Sequence, residues 1–185
     1  MQMRFIAAFF VVVFVASGWL TAAGDGPRPL SQPTSTLSAQ RPDLTGVSEL
    51  DMKASRLAEG GPIEARGYRA MTLALIHTKP EIAVHYDVKG VEASGDRQQA
   101  YVVTTDGRAK DVVLNGQPAV AWAKWEGGSL AVYHKRALAN DGYVETRRLF
   151  TLDGDSLRSV PTFRNKVDGK ETPEFGGETE VWRRR

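Results

Sequence analysis

Tight-turn signals at short, regular spacing constrain this chain more than any other feature of its sequence. Gly-containing dipeptides separate short segments in which apolar and polar residues alternate: Asp106-Gly107, Asn115-Gly116, Gly127-Gly128, Asp141-Gly142, Asp153-Gly154 and Asp168-Gly169. Such dipeptides suit turns that require positive φ. Short strands joined by turns of this kind are typical of an antiparallel sandwich or barrel.

The alternating segments predict about ten strands. We place them near residues 45–52, 67–77, 82–89, 98–105, 109–114, 118–126, 129–136, 143–152, 156–165 and 178–184. Only the segment 53–59 (KASRLAE) has helical character, which predicts a short helical turn after the first strand. Consecutive hairpins without crossover helices favour an all-β, up-and-down antiparallel barrel of about eight to ten strands, because closure removes exposed edges.

The turn positions also predict the strand register and the two faces of the sheet. A two-residue turn at Gly127-Gly128 pairs Trp125 with Leu130 on one face, and Trp122 with Tyr133 on the other. The same reasoning pairs Phe150 with Ser159, and His77 with Ile82. Alternation then assigns one set of apolar residues to the inside of the barrel: Trp125, Leu130, Val132, Phe150, Leu152 and Leu157.

Several short motifs resemble those of bacterial lipocalin-like domain proteins. They are the run 44–51 (LTGVSELD) with Lys53 and Ser55 after it, and the segments 85–90 (HYDVKG), 104–107 (TTDG), 123–127 (AKWEG) and 152–157 (LDGDSL). The resemblance covers roughly residues 44–184 and implies a calycin-type barrel, but no known activity. Ser48 stands where the family has a tryptophan that plugs one end of the barrel. Either another aromatic residue such as Trp182 fills that end, or the barrel is looser there.

The N-terminal region predicts export. Arg4 precedes an apolar run that ends in small residues near Ala23. This pattern is typical of a signal peptide over residues 1–23, although the apolar length of 5–23 also suits a membrane anchor. Residues 24–43 are rich in proline and serine and predict a disordered linker, which leaves 44–185 for the barrel. We therefore expect a periplasmic or extracellular protein, attached to a membrane only if residues 5–23 stay uncleaved.

Catalytic and metal-binding patterns are weak in this sequence. Cysteine is absent, and the formal net charge of +2 gives no electrostatic footprint for nucleic acid. His77 and His85 near one hairpin are interpreted as solvent-facing rather than as metal ligands. Glu178 and Glu180 are likewise explained better by solvation than by acid–base catalysis. We expect a monomer that is not an enzyme and has no cofactor or metal.

Small and polar residues on the predicted inner face suggest a ligand site. Ala119, Ala121 and Ala123 leave room beside Val132, and barrels of this size can hold one small ligand. The candidate ligand-binding residues are Tyr86, Tyr101, Trp125, Val132, His134, Arg148 and Phe150. An inward Arg148 indicates an anionic ligand group or an internal salt bridge, unless it is a surface arginine at the barrel mouth.

Two functions follow from this pattern. The first is binding of a small, largely apolar ligand inside the barrel. The alternative is a structural or protein-interaction module with a filled barrel, in which Trp122 and Tyr133 form an outer contact patch. An enzyme with an unconventional polar site in the barrel mouth is a third and weaker interpretation, because the sequence shows no cluster of titratable groups.

Overall fold

A computed structural model of the protein describes residues 41–92 and 95–185, which belong to one compact unit. The predicted leader and nearly all of the predicted linker lie outside these residues. The elements are β1 Gly46–Leu50, a 3-10 helix Ile63–Arg66, β2 Tyr68–Thr78, β3 Glu81–Gly90, β4 Arg97–Thr104, β5 Lys110–Leu114, β6 Gln117–Glu126, β7 Ser129–Ala137, β8 Tyr143–Asp153, β9 Ser156–Val167, β10 Lys170–Glu171, β11 Phe175–Gly176 and β12 Glu180–Arg184. No helix of the described part of the chain is long and apolar enough to cross a membrane.

The strands form one antiparallel sheet that curls into a nearly closed barrel. Its order is β4-β3-β2-β1-β12-β9-β8-β7-β6-β5, and the two-residue strands β10 and β11 each pair with β9. The two ends of this order approach each other: Gly107, in the loop between β4 and β5, donates its N–H to Ala123 O on β6 at 2.8 Å. Lys110 Nζ on β5 lies 2.7 Å from Glu81 Oε1 on β3. The predicted all-β antiparallel barrel is confirmed, with ten strands along the main path.

The turn dipeptides set the register as expected. Asn115 and Gly116 adopt φ values of 51° and 74°, which closes the two-residue turn between β5 and β6. Gly127 adopts φ 62° and closes the β6–β7 hairpin. As predicted, Trp125 pairs with Leu130, Trp122 with Tyr133, Phe150 with Ser159, and His77 with Ile82.

The segment 53–59 forms less helix than its composition indicates. One backbone bond from Ser55 N to Asp51 O, at 3.0 Å, closes a single turn. Beyond it, Arg56 exchanges two backbone hydrogen bonds of 2.8 Å with Thr179. These long-range bonds use the backbone N–H and C=O of Arg56, which a continuing helix would need for its own hydrogen bonds. The helix therefore ends, and the chain pairs with the segment before β12 instead. The helix of the described residues is instead the single 3-10 turn at Ile63–Arg66.

The core fills the barrel from the inner faces of all the long strands. Ile82, Val103, Leu130, Phe150 and Trp182 have none of their surface exposed. Trp182 on β12 pairs with Leu50 on β1, and Ser48, two residues before Leu50, lies on the same inner face. Ser48 is itself buried. The structure therefore places a large aromatic side chain next to the position at which the resemblance lacks its tryptophan.

Candidate functional site

The two ends of the barrel differ. We call the end with the turns at Lys79-Pro80 and Gly127-Gly128 the closed end, because the segment before β1 covers it. Leu44 is buried there, and His77 N donates a hydrogen bond of 3.0 Å to Thr45 Oγ1. The opposite end, which carries the turn at Asn115-Gly116, opens into a cavity and is called the open end.

The cavity has a volume of about 410 Å³, within the range of small-molecule sites, roughly 300–1,000 Å³. Apolar side chains such as Met71, Val88, Leu114 and Ala119 form its walls. We name two sets of polar lining residues. The mouth consists of Tyr68, Arg97, Asn115 and Arg136, and the floor consists of Tyr86, His134, Arg148 and Glu180.

The floor contains a buried ion pair held by a serine and a tryptophan. Arg148 Nη1 forms a salt bridge with Glu180 Oε2 and donates to Ser159 Oγ at 3.2 Å. Ser159 Oγ donates to Glu180 and accepts a 2.9 Å hydrogen bond from Trp182 Nε1. Burial lowers the pKa of Arg148, but the charge and hydrogen bond of Glu180, together with Tyr86 and Tyr101, outweigh burial and raise that pKa. The guanidinium is therefore charged and already neutralised by its own protein.

Tyr86 and His134 present polar atoms on the floor that have no hydrogen-bond partner among the described residues. They are the hydroxyl oxygen of Tyr86 and Nε2 of His134, both inaccessible to solvent. Burial raises the pKa of Tyr86, so its phenol is neutral and able to donate. Burial, together with the charge of Arg148, lowers the pKa of His134 to about 4, so its imidazole is neutral near pH 7.

Aromatic contacts fix the orientation of these two side chains. The ring of Tyr101 meets that of His134 edge-on, with 4.7 Å between centroids. The ring of Tyr86 lies between two neighbours: the guanidinium carbon of Arg148 at 5.4 Å and the ring of Trp182 at 6.1 Å. The floor is thus a preformed polar surface, because its side chains are held by the core behind it.

The candidate ligand-binding residues occupy three different places. Tyr86, His134 and Arg148 line the cavity. Behind them, Tyr101, Val132 and Phe150 are buried in the core and do not line the cavity. Trp125 lies at the closed end, 5.7 Å from the ring of His77 and 6.0 Å from the guanidinium of Arg41, and is not brought together with the others.

Two interpretations made from the sequence are wrong. His77 does not face solvent: it shares the inner face with Ile82, and its Nε2 is buried against the Trp125 side of the core. Glu178 and Glu180 are not solvated, with exposures of 6% and 4%. Glu178 pairs with Arg66, and Glu180 with Arg148, because β12 lies inside the sheet order rather than at an edge.

The signal for Glu180 was present in the sequence but incomplete. Glu180 and Trp182 alternate on one strand and therefore share a face. Arg148, predicted to point inward, required a partner of opposite charge. The identity of that partner depended on β9–β12 pairing, which the Asp168-Gly169 turn does not indicate, because this turn closes the β9–β10 hairpin instead.

The outer face of β6 and β7 carries the Trp122 and Tyr133 pair. Their rings stack with centroids 5.0 Å apart, and Tyr133 Oη donates to Glu126 at 2.8 Å. Burial opposes ionisation of Glu126, yet hydrogen bonds from Arg147, Tyr133 and Lys124 lower its pKa to about 2. Both aromatic rings are half-buried, and the tyrosine hydroxyl is satisfied within the chain.

Metal ligands do not converge in the described ranges, where no group of three or more histidine, aspartate or glutamate residues could hold an ion.

Comparison with known proteins finds only distant structural likenesses. No family model matches it, and no curated protein matches it. Among solved structures, it is similar to secretory abundant heat soluble protein 4 from Ramazzottius varieornatus, with TM-score 0.49, 12% identity, and 76% of this chain and 94% of that chain covered. Lipid binding protein 8 from Caenorhabditis elegans, solved without ligand, gives TM-score 0.48 and 8% identity over 76% and 94%. A second secretory abundant heat soluble protein from Ramazzottius varieornatus gives 0.47 and 12% over 77% and 94%.

Likenesses at this level carry no inference about a ligand or a role. Because no family model matches, the resemblance to bacterial lipocalin-like proteins stays a prediction beyond the barrel fold itself.

Proposed function

We propose that this protein binds a small, largely apolar ligand in the cavity at the open end of its barrel, without catalysing a reaction. One observation carries the proposal: the cavity is lined by Tyr86 and His134, whose hydroxyl and Nε2 are buried and have no hydrogen-bond partner among the described residues. A buried polar group without a partner costs about 1–3 kcal/mol. A ligand that supplies the missing hydrogen bonds recovers this free energy on binding.

The shape of the cavity supports the same proposal. The cavity combines apolar walls with convergent polar groups, and both kinds of surface occur in small-molecule sites. The filled-barrel alternative has less support, because a cavity of about 410 Å³ remains. The outer Trp122 and Tyr133 pair also gives the interaction module little support, since the tyrosine hydroxyl is bonded to Glu126.

Export is part of the proposal. It is supported by the apolar run and small residues within 1–23. The protein would then act as a monomeric carrier or sequestering protein outside the cytoplasm.

Filling the cavity tests the proposal. The purified protein is titrated with the fluorescent dye anilinonaphthalene sulfonate, which is then displaced with decanoic acid. Ala119→Trp places a large ring against the cavity wall, and we expect dye affinity to fall by about tenfold or more, since the ring occupies space that the dye needs for its contacts. A milder filling, Ala119→Leu, serves if the tryptophan variant does not fold.

The matched control is Val113→Trp, which adds the same ring at an exposed position of the neighbouring strand β5. It should bind the dye as the unmodified protein does. If the Ala119 variants keep their fold by circular dichroism and bind the dye as tightly as the unmodified protein does, the dye does not occupy this cavity and the proposal is refuted.

A further inference from the structure

The charges around the cavity differ between its floor and its mouth. On the floor, Arg148 is paired with Glu180, and their side chains are 19% and 6% exposed. The floor is therefore rich in hydrogen-bonding groups but carries no unpaired charge. His134 does not change this, because its neutral imidazole has its pKa lowered by burial.

The mouth carries two arginines that have no carboxylate within salt-bridge distance among residues 41–92 and 95–185. They are Arg97 on β4 and Arg136 on β7, both exposed. Arg97 contacts only a neutral partner, Tyr68, with Nη2 at 3.5 Å from the hydroxyl and the guanidinium carbon 5.7 Å from the ring centroid. The mouth thus has two guanidinium groups available for an anion.

The floor and the mouth are one inward-facing position apart on the same strands. His134 and Arg136 are two residues apart on β7. Across the barrel, Tyr86 pairs with Gln99, while Val88, two residues further along β3, pairs with Arg97. Two residues of strand correspond to about 7 Å, so a flexible amphiphile at least this long can reach both rows at once.

We propose that the ligand is a bifunctional amphiphile, with an uncharged hydroxyl or carbonyl group at Tyr86 and His134 and an anionic group at Arg97 and Arg136. This inference rests on the proposed function and adds the ligand's class and its orientation. The apolar part of the ligand lies between the two rows, against Met71 and Val88.

The opposite orientation is unfavourable. An anionic group on the floor would have to compete with Glu180 for Arg148, and both acids would lie in a region where Glu180 is 4% exposed. Separating Glu180 from its arginine leaves a buried charge without a partner, which is costly. An uncharged group instead uses the two atoms that lack a partner and leaves the ion pair intact.

Three probes of one chain length separate the two ends of the ligand. They are ω-hydroxydecanoic acid, decanoic acid and decanol, each measured by dye displacement and by calorimetry. We expect ω-hydroxydecanoic acid to bind most tightly, about 3- to 10-fold better than decanoic acid, the effect of one net hydrogen bond.

Tyr86→Phe removes only the floor hydroxyl. Because that hydroxyl has no partner among residues 41–92 and 95–185, the variant should fold normally. It should reduce the advantage of ω-hydroxydecanoic acid while leaving decanoic acid affinity unchanged. The matched control, Tyr143→Phe, removes a hydroxyl that bonds Glu171 outside the cavity and should change neither.

Arg136→Gln removes a mouth charge. Both acids should bind about 2- to 5-fold more weakly, by an amount that shrinks with added salt, while decanol is unaffected. The matched control, Lys135→Gln, removes the same charge from the next residue, which lies on the outer face over the Tyr143 ring, and should leave all three affinities unchanged.

The orientation is wrong if Tyr86→Phe weakens decanoic acid as much as ω-hydroxydecanoic acid, or if Arg136→Gln weakens decanol as much as the acids. In either case the Ala119→Trp result still decides separately whether the cavity binds a ligand. The inference is also overturned if none of the three probes displaces a dye bound in the cavity. The result for Ala119→Trp is independent of that outcome.

Discussion

Burial of neutral His134 makes the stability of this protein depend on pH in a defined window. In the unfolded chain a histidine has a pKa near 6.5, whereas burial and the charge of Arg148 lower the pKa of His134 to about 4 in the folded state. Between these values the unfolded chain binds more protons than the folded one. Stability therefore rises with pH across the window: the contribution is complete above pH 6.5 and is lost as pH falls towards 4.

The magnitude follows from the two pKa values. One pKa unit corresponds to about 1.4 kcal/mol, so the whole window is worth about 3 kcal/mol, of which about 2 kcal/mol is lost by about pH 5. The carboxylates with the largest pKa shifts affect stability in a more acidic range. Glu126 and Asp106 have pKa values lowered to about 2 by hydrogen bonds, so their contributions are lost mainly below pH 4.

The assay is urea unfolding at a series of pH values between about 4 and 7.5, for the unmodified protein and for His134→Phe. The phenylalanine keeps a ring against Tyr101 and removes the titration. We expect the difference in free energy of unfolding between the two proteins to change by about 2 kcal/mol between about pH 7 and pH 5, with the variant losing less stability in acid.

A histidine control isolates the burial effect. His85→Phe removes an exposed histidine of β3 and should keep the pH dependence of the unmodified protein. If the free energy of unfolding depends on pH with the same slope in the unmodified protein and in His134→Phe, the reasoning is refuted. That result would mean that His134 has the same pKa in the folded and unfolded states.

Three further experiments with variants test the packing around the floor and in the core beside it. Arg148→Met leaves Glu180 buried without its partner and should lower the free energy of unfolding by about 3–5 kcal/mol in urea titrations, whereas adding Glu180→Met should restore much of it; equal losses for the single and double variants would contradict this. Trp182→Phe removes the Nε1 donor to Ser159 and part of a fully buried ring, and calorimetry should show a loss of about 1–3 kcal/mol; an unchanged Tm would mean that Trp182 packs loosely. Ser48→Trp restores the tryptophan of the resembling family but adds a ring beside Trp182, so we expect overpacking to cost about 1–3 kcal/mol; a more stable variant would show that this region has unfilled space.

The barrel and its register were predictable because turn chemistry and a period of two determine them together. Asn115-Gly116 and Gly127-Gly128 define two-residue turns, and each turn then fixes every cross-strand pair of its hairpin. Alternation correctly assigned Leu130 and Phe150 to the inside, where both are fully buried.

Alternation could not predict the level of a residue along the barrel axis. Trp125 and His134 both point inward, yet Trp125 packs with His77 at the closed end and His134 lines the cavity at the open end. Parity along a strand determines the face of the sheet, whereas height depends on how the strands are staggered around the barrel. The candidate residues therefore share the inner face of the sheet but do not form one site.

The position of β12 between β1 and β9 has a consequence for the order of folding. This strand, the last of the described chain, supplies Glu180 and Trp182 to the floor and joins the first strand to the rest of the sheet. Pairing between strands so distant in sequence is slow, because the intervening chain must first lose its freedom. A chain emerging from a ribosome cannot complete this barrel until residues 180–184 are released. Until then the floor stays incomplete and β1 is not joined to β9, so the barrel closes only after synthesis of its last strand.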